Sequence, residues 1–378
     1  MRFLHTADWH IGKRLGDFSL QVEQQDAFQK IVAIARQEQV DAVVIAGDLY
    51  DRSLASEESV QTVNGMLEYL NLHEHLPLLI ISGNHDSAVR LSTGDKWMRQ
   101  AGVHIVTDLE DAMKPIIIDD TQFFLLPYFE PYQARNFFAD RTIKTTQDAV
   151  IKLVAQMQKM FDPTKKHVLV AHFFAANQAG STQQSEAVVG GVDMVATGVL
   201  QPFDYVALGH IHNPQALTDE KIKYSGTPLM FSTGEITQTK GVRIIDTTPF
   251  NSQFIPLTPL HAIKKLTGTF ADVTSFDQQA QVEKTDYVAV ELTDQEPVMD
   301  AFNRLHAVYP RLFELTRRRI RRHSQQRNNI SRYVHSEQLD PVVVLRDFYQ
   351  YVTGQPLAPA QEKWALKVRQ EVDDNETN

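Results

Sequence analysis

Short apolar runs alternate with segments of helical periodicity over the first 85 residues of the chain. The runs cover residues 1–7, 41–45 and 77–81, and such compact runs are typical of buried parallel strands. Between them, apolar side chains recur at helical spacing, at Phe28, Ile31, Val32 and Ala35 and again at Val60, Val63, Leu67 and Leu70. The pattern predicts a β-α-β-α-β unit.

Shorter strand-like runs follow from about residue 114 onward. They lie at residues 115–118, 123–126, 167–172, 205–208, 221–225 and 242–245, with an amphipathic helix at 147–160. These additional strands predict a second sheet packed on the first. The expected fold class is therefore α/β (α+β), a two-sheet β-sandwich flanked by helices.

A new set of predicted strands and helices begins after about Pro259. Strands at residues 263–270 and 287–292 and a helix at 299–309 predict a small α/β unit. A basic run follows at residues 317–322, where five of six side chains are arginine.

Helical spacing returns from about residue 340. A Gly and a Pro at positions 354 and 356 separate two predicted amphipathic helices, at 342–351 and 360–368. We predict three parts, which are a large domain (1–258), a small α/β domain (259–335), and C-terminal helices with a frayed acidic tail (336–378).

Composition narrows the class of protein. No apolar run approaches the roughly 20 residues that cross a bilayer, and the first residues turn polar at Asp8 before a signal-peptide core develops. We therefore expect a cytoplasmic protein. The chain has no cysteine, which leaves His, Asp, Glu and Asn to bind hard or borderline metals. Its net charge of −10 argues against a generally basic DNA-binding surface, so DNA affinity would have to be local or come from metals or a partner.

Polar motifs come directly after each of the first three predicted strands. They are Asp8-x-His10, Gly47-Asp48 and Gly83-Asn84-His85. Ligand sites in α/β sheets gather beyond the carboxyl ends of strands, so we expect these motifs to converge. Two later strands also end in histidines, at His172 and at Gly209-His210-x-His212.

Together these motifs predict a site for two metal ions. Two divalent cations about 3.5 to 4 Å apart need a bridging carboxylate and further ligands on each side. We assign Asp48, at the end of the central predicted strand, as the bridge. The two ligand sets are Asp8, His10, Asp48 and His212 for one ion, and Asp48, Asn84, His172 and His210 for the other.

His85 is the candidate catalytic residue because it adjoins Asn84 but is not needed as a ligand. A histidine that titrates near neutrality suits protonation of a leaving alkoxide. Asp86 is expected either to orient His85 or to cap a turn. Arg52 is a candidate phosphate contact, with a salt bridge near Asp51 as the alternative. Five other histidines match no motif and are expected to be structural or exposed, and they are His5, His73, His75, His104 and His167.

The motifs resemble those of the calcineurin-like metallophosphoesterase superfamily and, more closely, those of the SbcD nuclease subunits of bacterial SbcCD complexes. The closer resemblance rests on the strings HTADWHIG (5–12), AGDLYD (46–51), ISGNHD (81–86), ALGHIH (207–212) and YSGTPL (224–229). It is strong over about the first 245 residues and weak beyond them.

The resemblance implies a manganese-dependent nuclease that degrades double-stranded DNA ends and cuts single strands and hairpins, in DNA repair, recombination and replication. It implies an SbcC-type ABC ATPase partner with a long coiled coil and a homodimer within a heterotetramer. It also implies that the small α/β domain caps DNA. The C-terminal helices are implied to dock on the base of the coiled coil, the alternative being that they pack on their own domain. The arginines of the basic run are candidate DNA contacts or simply solvated, and they are Arg317, Arg318, Arg319, Arg321 and Arg322.

Other functions compete with that of a nuclease. A calcineurin-like phosphatase or cyclic-nucleotide phosphodiesterase could use the same scaffold, but would not need the 130 or so residues after Thr247. The purple-acid branch needs a tyrosine ligand where this chain has Asp51. A binding module with a decayed site is disfavoured because all seven ligands are present. The second active-site histidine that archaeal and eukaryotic relatives carry after the bridging Asp has no counterpart here. The chain lacks a P-loop, so ATP dependence would come from a partner.

Overall fold

The computed structural model describes residues 1–177, 194–318, 341–353 and 356–376. The chain forms two compact units, one of residues 1–292 and 298–316 and one of residues 293–297 and 317–378. Among the residues described, none of the helices has the length and apolar character that crossing a membrane requires.

The first sheet has six strands. They are β1 (Arg2–Thr6), β4 (Ala42–Ala46), β5 (Leu78–Ile81), β6 (Val103–Val106), β14 (Gly241–Thr247) and β15 (Phe250–Pro256). Their order is β15-β14-β1-β4-β5-β6. Neighbouring strands pair in parallel along β1, β4, β5 and β6, whereas β14 is antiparallel to both β1 and β15. The parallel half therefore places the ends of three successive strands along one edge.

The second sheet has five strands. They are β7 (Ile116–Ile118), β8 (Thr121–Leu126), β9 (Lys166–His172), β12 (Tyr205–Gly209) and β13 (Ile222–Tyr224). The order is β13-β12-β9-β8-β7, with only the edge strand β7 antiparallel to its neighbour. The described residues also form two separate short strand pairs, β2 (Arg14–Leu15) with β3 (Phe18–Ser19) and β10 (Ala175–Ala176) with β11 (Val195–Ala196).

Strand β4 shows how the sandwich is held together. All five of its residues are buried, and successive side chains point to opposite faces of the sheet. Ala42, Val44 and Ala46 pack in the core shared with the second sheet. Val43 and Ile45 pack on the other face, in the core that contains Phe28 and Ile31 of the first helix. A strand covered on both faces needs an apolar run, which is the pattern in the sequence.

Helices cover the outer faces of the two sheets. In the first unit they are α1 (Gln21–Gln37), α2 (Glu57–Glu68), α3 (Ala88–Leu91), α4 (Asp95–Met98), α5 (Leu109–Ala112), α6 (Pro131–Phe138) and α7 (Thr146–Gln158). The predicted two-sheet sandwich flanked by helices is confirmed.

A small three-stranded sheet follows the sandwich. Its strands are β16 (Ile263–Gly268), β17 (Tyr287–Leu292) and β18 (Leu312–Arg317), with helices α8 (Phe270–Val273), α9 (Phe276–Gln279) and α10 (Ala301–Val308). Its attachment to α1 includes buried Glu23, whose Oε1 accepts hydrogen bonds from His261 Nδ1 (2.8 Å) and the Tyr287 hydroxyl (2.9 Å). Phe313 is partly buried and packs against a core cluster that contains Leu20.

The second unit contains helices α11 (Pro341–Thr353) and α12 (Pro359–Glu376). They are joined by an ion pair between Arg346 and Glu362. Phe348 of α11 and Trp364 of α12 remain 62% and 66% exposed. The two helices match the predicted ones and extend them at both ends.

Three features depart from the sequence pattern. Strand β14, which the pattern grouped with the later strands, belongs to the first sheet, because apolar runs do not specify the strand partner. The predicted strand 263–270 ends at Gly268, and Thr269 caps α8 by accepting a hydrogen bond from the Asp272 amide. Strand β18 includes Arg317, so the basic run begins inside a strand. The three-part domain division, with boundaries at residues 258 and 335, stays a prediction.

Candidate metal centre

The candidate ligands lie at the carboxyl ends of strands in both sheets. Asp8 and Asp48 each come two residues after a parallel strand, β1 and β4, and Asn84 follows β5. In the second sheet, His172 is the last residue of β9, and His210 follows β12 directly. The two sheets pack face to face, so these strand ends meet at one edge of the sandwich.

The backbone at this edge is unusual. Asp8, His10, Asp48 and His210 all have positive φ, at 54°, 46°, 53° and 92°. Residues other than glycine rarely adopt this conformation, and it concentrates at functional sites. Gly83 is required for a different reason, because a Cβ there would collide with Oδ1 of Asp48.

The first predicted ligand set is assembled around Asp8. Donor atoms of Asp8, His10 and His212 lie within 4.8 Å of one another. Nε2 of His10 is also 3.7 Å from Oδ2 of Asp48. The structure therefore brings together all four side chains assigned to one ion.

The second set meets at Asn84. Its Oδ1 lies 3.0 Å from Nε2 of His172 and 2.9 Å from Nδ1 of His210. Oδ2 of Asp48 is 3.3 Å from the same His172 nitrogen. Asp48 thus contacts a histidine of each set, which is the position that a bridging carboxylate needs.

Two buried histidines fit a bound cation. Nδ1 of His172 donates to the carbonyl oxygen of Ala46 (2.8 Å), so in the neutral ring the Nε2 lone pair faces the oxygens of Asn84 and Asp48. Several acceptors that converge in a buried site need a cation between them. Both ring nitrogens of His10 are buried without a hydrogen-bond partner among the described residues. With carboxylate, imidazole and amide donors together, this set suits a divalent metal ion.

Burial and mutual charge set the protonation of these groups. Burial lowers the pKa of His10 to about 3, which keeps its imidazole neutral and able to bind a metal. Burial also acts to lower the pKa of His172, but the charge and hydrogen bond of Asp48 outweigh it and raise that pKa to about 9. Without a metal the ring therefore carries a proton on Nε2, and a bound metal ion would replace that proton. Asp48 is buried as well, yet His172 holds the pKa of its carboxyl below the usual range. The pKa of Asp8 is raised, mainly by burial.

His85 lies beside the two ligand sets, with its ring at right angles to that of His10 and 4.8 Å between centroids. Its main-chain N–H donates to Oδ1 of Asp48 (2.8 Å), and its Nδ1 donates to the main-chain carbonyl oxygen of Asp51 (2.8 Å). The Asp86 carboxylate is occupied elsewhere, because it accepts the amide N–H groups of Leu49, Tyr50 and Gly83. Asp86 therefore braces the loops, and a backbone carbonyl orients His85.

Comparison with known proteins identifies the family to which the chain belongs. The model of the calcineurin-like phosphoesterase family matches residues 1–214, more than half of the chain, and so covers all the candidate ligands. The chain belongs to this family. A second family model, described as the type 5 capsule protein repressor C-terminal domain, matches residues 256–353.

Relatives place the chain more narrowly within that family. A protein of Staphylococcus epidermidis, named as the SbcD component of the nuclease SbcCD, is 33% identical over 96% of this chain and 96% of its own. A protein of Staphylococcus saprophyticus with the same name is 32% identical over 97% of both. The chain thus belongs with the SbcD nucleases among calcineurin-like phosphoesterases. The solved structure of Yfce, a phosphoesterase from E. coli, matches 65% of this chain and 88% of its own, with a TM-score of 0.29 and 14% identity.

Sequence motifs did not reveal Glu235, which contacts the candidate ligand His212. In this calcineurin-like phosphoesterase its Oε1 accepts a hydrogen bond from Nδ1 of His212 (3.0 Å), and its Oε2 pairs with Nζ of Lys240 (2.7 Å). Burial acts to raise the pKa of Glu235, but hydrogen bonds and charge interactions with His212 and Lys240 outweigh burial and lower that pKa to about 2. Its place in a short turn, Thr233–Glu235, leaves no motif in the sequence.

The arginines predicted to bind substrate are distributed differently. Arg52 is 83% exposed, and its Nε lies 3.7 Å from Oδ2 of Asp51. Arg317 donates to the main-chain carbonyls of Asp294 and Gln295 at 2.9 and 2.6 Å. Three members of the basic run, Arg319, Arg321 and Arg322, lie outside the described residues.

Proposed function

We propose that this chain is the nuclease component of an SbcCD-type complex, a two-metal-dependent enzyme that hydrolyses DNA phosphodiesters. It acts as an exonuclease on double-stranded ends and as an endonuclease on single strands and hairpins, in DNA repair, recombination and replication. The observation that carries this proposal is the meeting of seven candidate ligand side chains, Asp48 among them, in a chain whose relatives are named nucleases.

Asp8, His10, Asp48 and His212 hold one ion in this account, and Asp48, Asn84, His172 and His210 hold the other. Contacts within each group support this assignment, and the two groups adjoin, because donor atoms of Asp8, Asp48 and His172 also lie within 4.8 Å of one another. A pair of divalent ions, which we propose to be Mn²⁺, supplies Lewis-acid stabilisation of phosphate charge and an acidified water when bound.

His85 serves as the proton donor in this reaction. Its Nδ1 is committed to the carbonyl of Asp51, so Nε2 is the nitrogen left to donate a proton to the leaving oxygen. The hydrogen bond from its main chain to Asp48 ties the position of His85 to the bridging ligand. These two hydrogen bonds fix the position of the proposed proton donor relative to the proposed metal ligand Asp48.

Substrate contacts are proposed for six arginines. Arg52 is exposed beside the site and its ion pair with Asp51 is long, so its side chain can turn toward a phosphate. We propose the same role, contact with the DNA backbone, for the basic run, which comprises Arg317, Arg318, Arg319, Arg321 and Arg322.

A partner completes the proposed nuclease. The net charge of −10 opposes DNA binding by this chain alone, and the relatives are named as a subunit of a nuclease complex. We propose an SbcC-type coiled-coil ATPase that docks on helices α11 and α12 through exposed side chains such as Phe348 and Trp364. A homodimer within a heterotetramer and a cytoplasmic location belong to the same proposal, as does the capping role of residues 259–335.

The test compares two kinds of phosphoester. The purified chain is incubated with Mn²⁺ and an end-labelled DNA hairpin, alone and with the ATPase partner and ATP, and separately with p-nitrophenyl phosphate. Metal-dependent hairpin cleavage supports the proposal. Hydrolysis of the small ester with no DNA cleavage in any arm contradicts it and favours a phosphatase.

A further inference from the structure

The candidate histidine ligands differ in the groups to which their rings donate hydrogen bonds. Nδ1 of His172 donates to a neutral backbone carbonyl, and neither ring nitrogen of His10 has a hydrogen-bond partner in the described part of the chain. Nδ1 of His212 instead donates to the carboxylate of Glu235 at 3.0 Å. A carboxylate on the outer nitrogen of a metal-binding histidine fixes the tautomer and raises the basicity of the ligand.

Glu235 is itself fixed by Lys240, and each of the two residues is only 3% exposed. Nζ of Lys240 lies 2.7 Å from Oε2 of Glu235 and also donates to the main-chain carbonyl oxygen of His212 (3.0 Å). The amide N–H of Phe231 donates to the same Glu235 oxygen (3.2 Å). Lys240 therefore holds the backbone of His212, while Glu235 holds its ring.

A buried ion pair is an expensive way to stabilise a loop. Two apolar side chains of similar volume often stabilise a fold as well or better. The charges of Glu235 and Lys240 cancel, so the pair adds directionality at His212 without adding net charge to the site. The ring of Phe231 packs edge-on against both His10 and His212, with centroids 5.5 and 6.0 Å away. The loop thus backs two ligands that belong to the same set.

From these contacts we infer that Glu235 and Lys240 form a positioning pair that orients His212 and selectively strengthens the metal site of Asp8, His10, Asp48 and His212. The inference rests on the proposed two-metal function and adds an asymmetry to it. Loss of an outer-shell partner costs about 10- to 100-fold in metal affinity. That loss should fall on one ion only.

The test is calorimetric titration of the metal-free full chain with MnCl₂. In Glu235→Ala, one ion should bind about 10- to 100-fold more weakly than in wild type while the other keeps its affinity. In Glu235→Gln the affinity of that ion should lie between those in wild type and in Glu235→Ala, because the amide oxygen of Gln can still accept a hydrogen bond from His212. The double variant Glu235→Ala/Lys240→Met leaves no unpaired buried charge at this pair and should show the same selective loss. Asp286→Asn, which alters a buried carboxylate of the small sheet, is the matched control and should bind like wild type.

The outcomes separate this inference from the proposed function. Wild-type affinity for both ions in the folded double variant would overturn the positioning role, and so would an equal weakening of both ions. Fewer than two ions in the wild type would instead contradict the two-metal site itself. Thermal unfolding of each metal-free variant distinguishes a loss of fold from a loss of affinity, since a purely structural pair would lower the unfolding temperature and leave both affinities unchanged.

Discussion

The imidazole of His85 donates a hydrogen bond through Nδ1 to the main-chain carbonyl oxygen of Asp51, at 2.8 Å. Because Nδ1 keeps its proton in this bond, the proton that the ring can pass to the leaving oxygen is the second one, on Nε2 of the imidazolium. Asp51 is held in turn, because its Oδ1 lies 2.8 Å from Nζ of Lys13. His85 is therefore oriented by the backbone of the loop that follows Asp48, the proposed bridging ligand.

Replacement of His85 should separate chemistry from metal binding. We expect His85→Ala to slow DNA cleavage by about 10²- to 10⁴-fold, the usual contribution of a positioned proton donor, while two Mn²⁺ still bind. Single-turnover cleavage of a labelled hairpin and calorimetric metal titration measure the two effects. His306→Ala, at an exposed position of α10, is the control and should match wild type. Full activity of His85→Ala would remove His85 from the mechanism.

Two glycines give a matched pair of substitutions. A Cβ at Gly83 would collide with Oδ1 of Asp48, whereas a Cβ at Gly65 in α2 meets no atom of the described residues within 4 Å. Gly83→Ala should destabilise the fold by about 1–3 kcal/mol, the typical cost of overpacking, and should weaken metal binding. Gly65→Ala should stabilise it by about 0.5–1 kcal/mol, since alanine is the better helix former. Urea unfolding and metal titration test both, and equal behaviour of the two variants would be inconsistent with the close approach at Asp48.

His5 should make stability depend on pH. It is fully buried beside Tyr205, and burial, with a smaller contribution from the charge of Arg243, lowers its pKa to about 3. The unfolded chain binds a proton at this histidine below about pH 6.5 and the folded chain does not, so stability falls as the pH drops through that range.

A variant isolates this contribution. Between pH 7 and pH 5, wild type should lose roughly 2 kcal/mol more unfolding free energy than His5→Gln, which cannot titrate. Urea unfolding of both metal-free proteins at the two pH values gives the difference. His306→Gln removes an exposed histidine and should keep the wild-type dependence. If His5→Gln and wild type lost the same free energy, His5 would not be neutral in the fold.

The sequence predicts the parts of the site that sit on regular structure. Asp8, Asp48 and Asn84 were predictable because apolar runs mark parallel strands and polar motifs mark their carboxyl ends. His172 and His210 were found in the same way on the second sheet. The fold class followed from the same runs, since a strand buried on both faces must be apolar throughout.

Features that depend on chain reversal were not predictable. Glu235 reaches His212 from a short turn, and nothing in its local sequence specifies a partner 23 positions away. The carbonyl of Asp51 orients His85 through backbone geometry, which side-chain identity does not encode. The membership of β14 in the first sheet depends on antiparallel pairing with β1, whereas an apolar run specifies only burial.

Asp48 is the residue on which the two-metal account depends. Calorimetric titration with Mn²⁺ should show two ions per chain in wild type and at most one in Asp48→Ala. Asp277→Ala, which removes an exposed carboxylate from α9, should retain both ions. Two tightly bound ions in Asp48→Ala, or a single ion in wild type, would contradict a centre that shares this carboxylate.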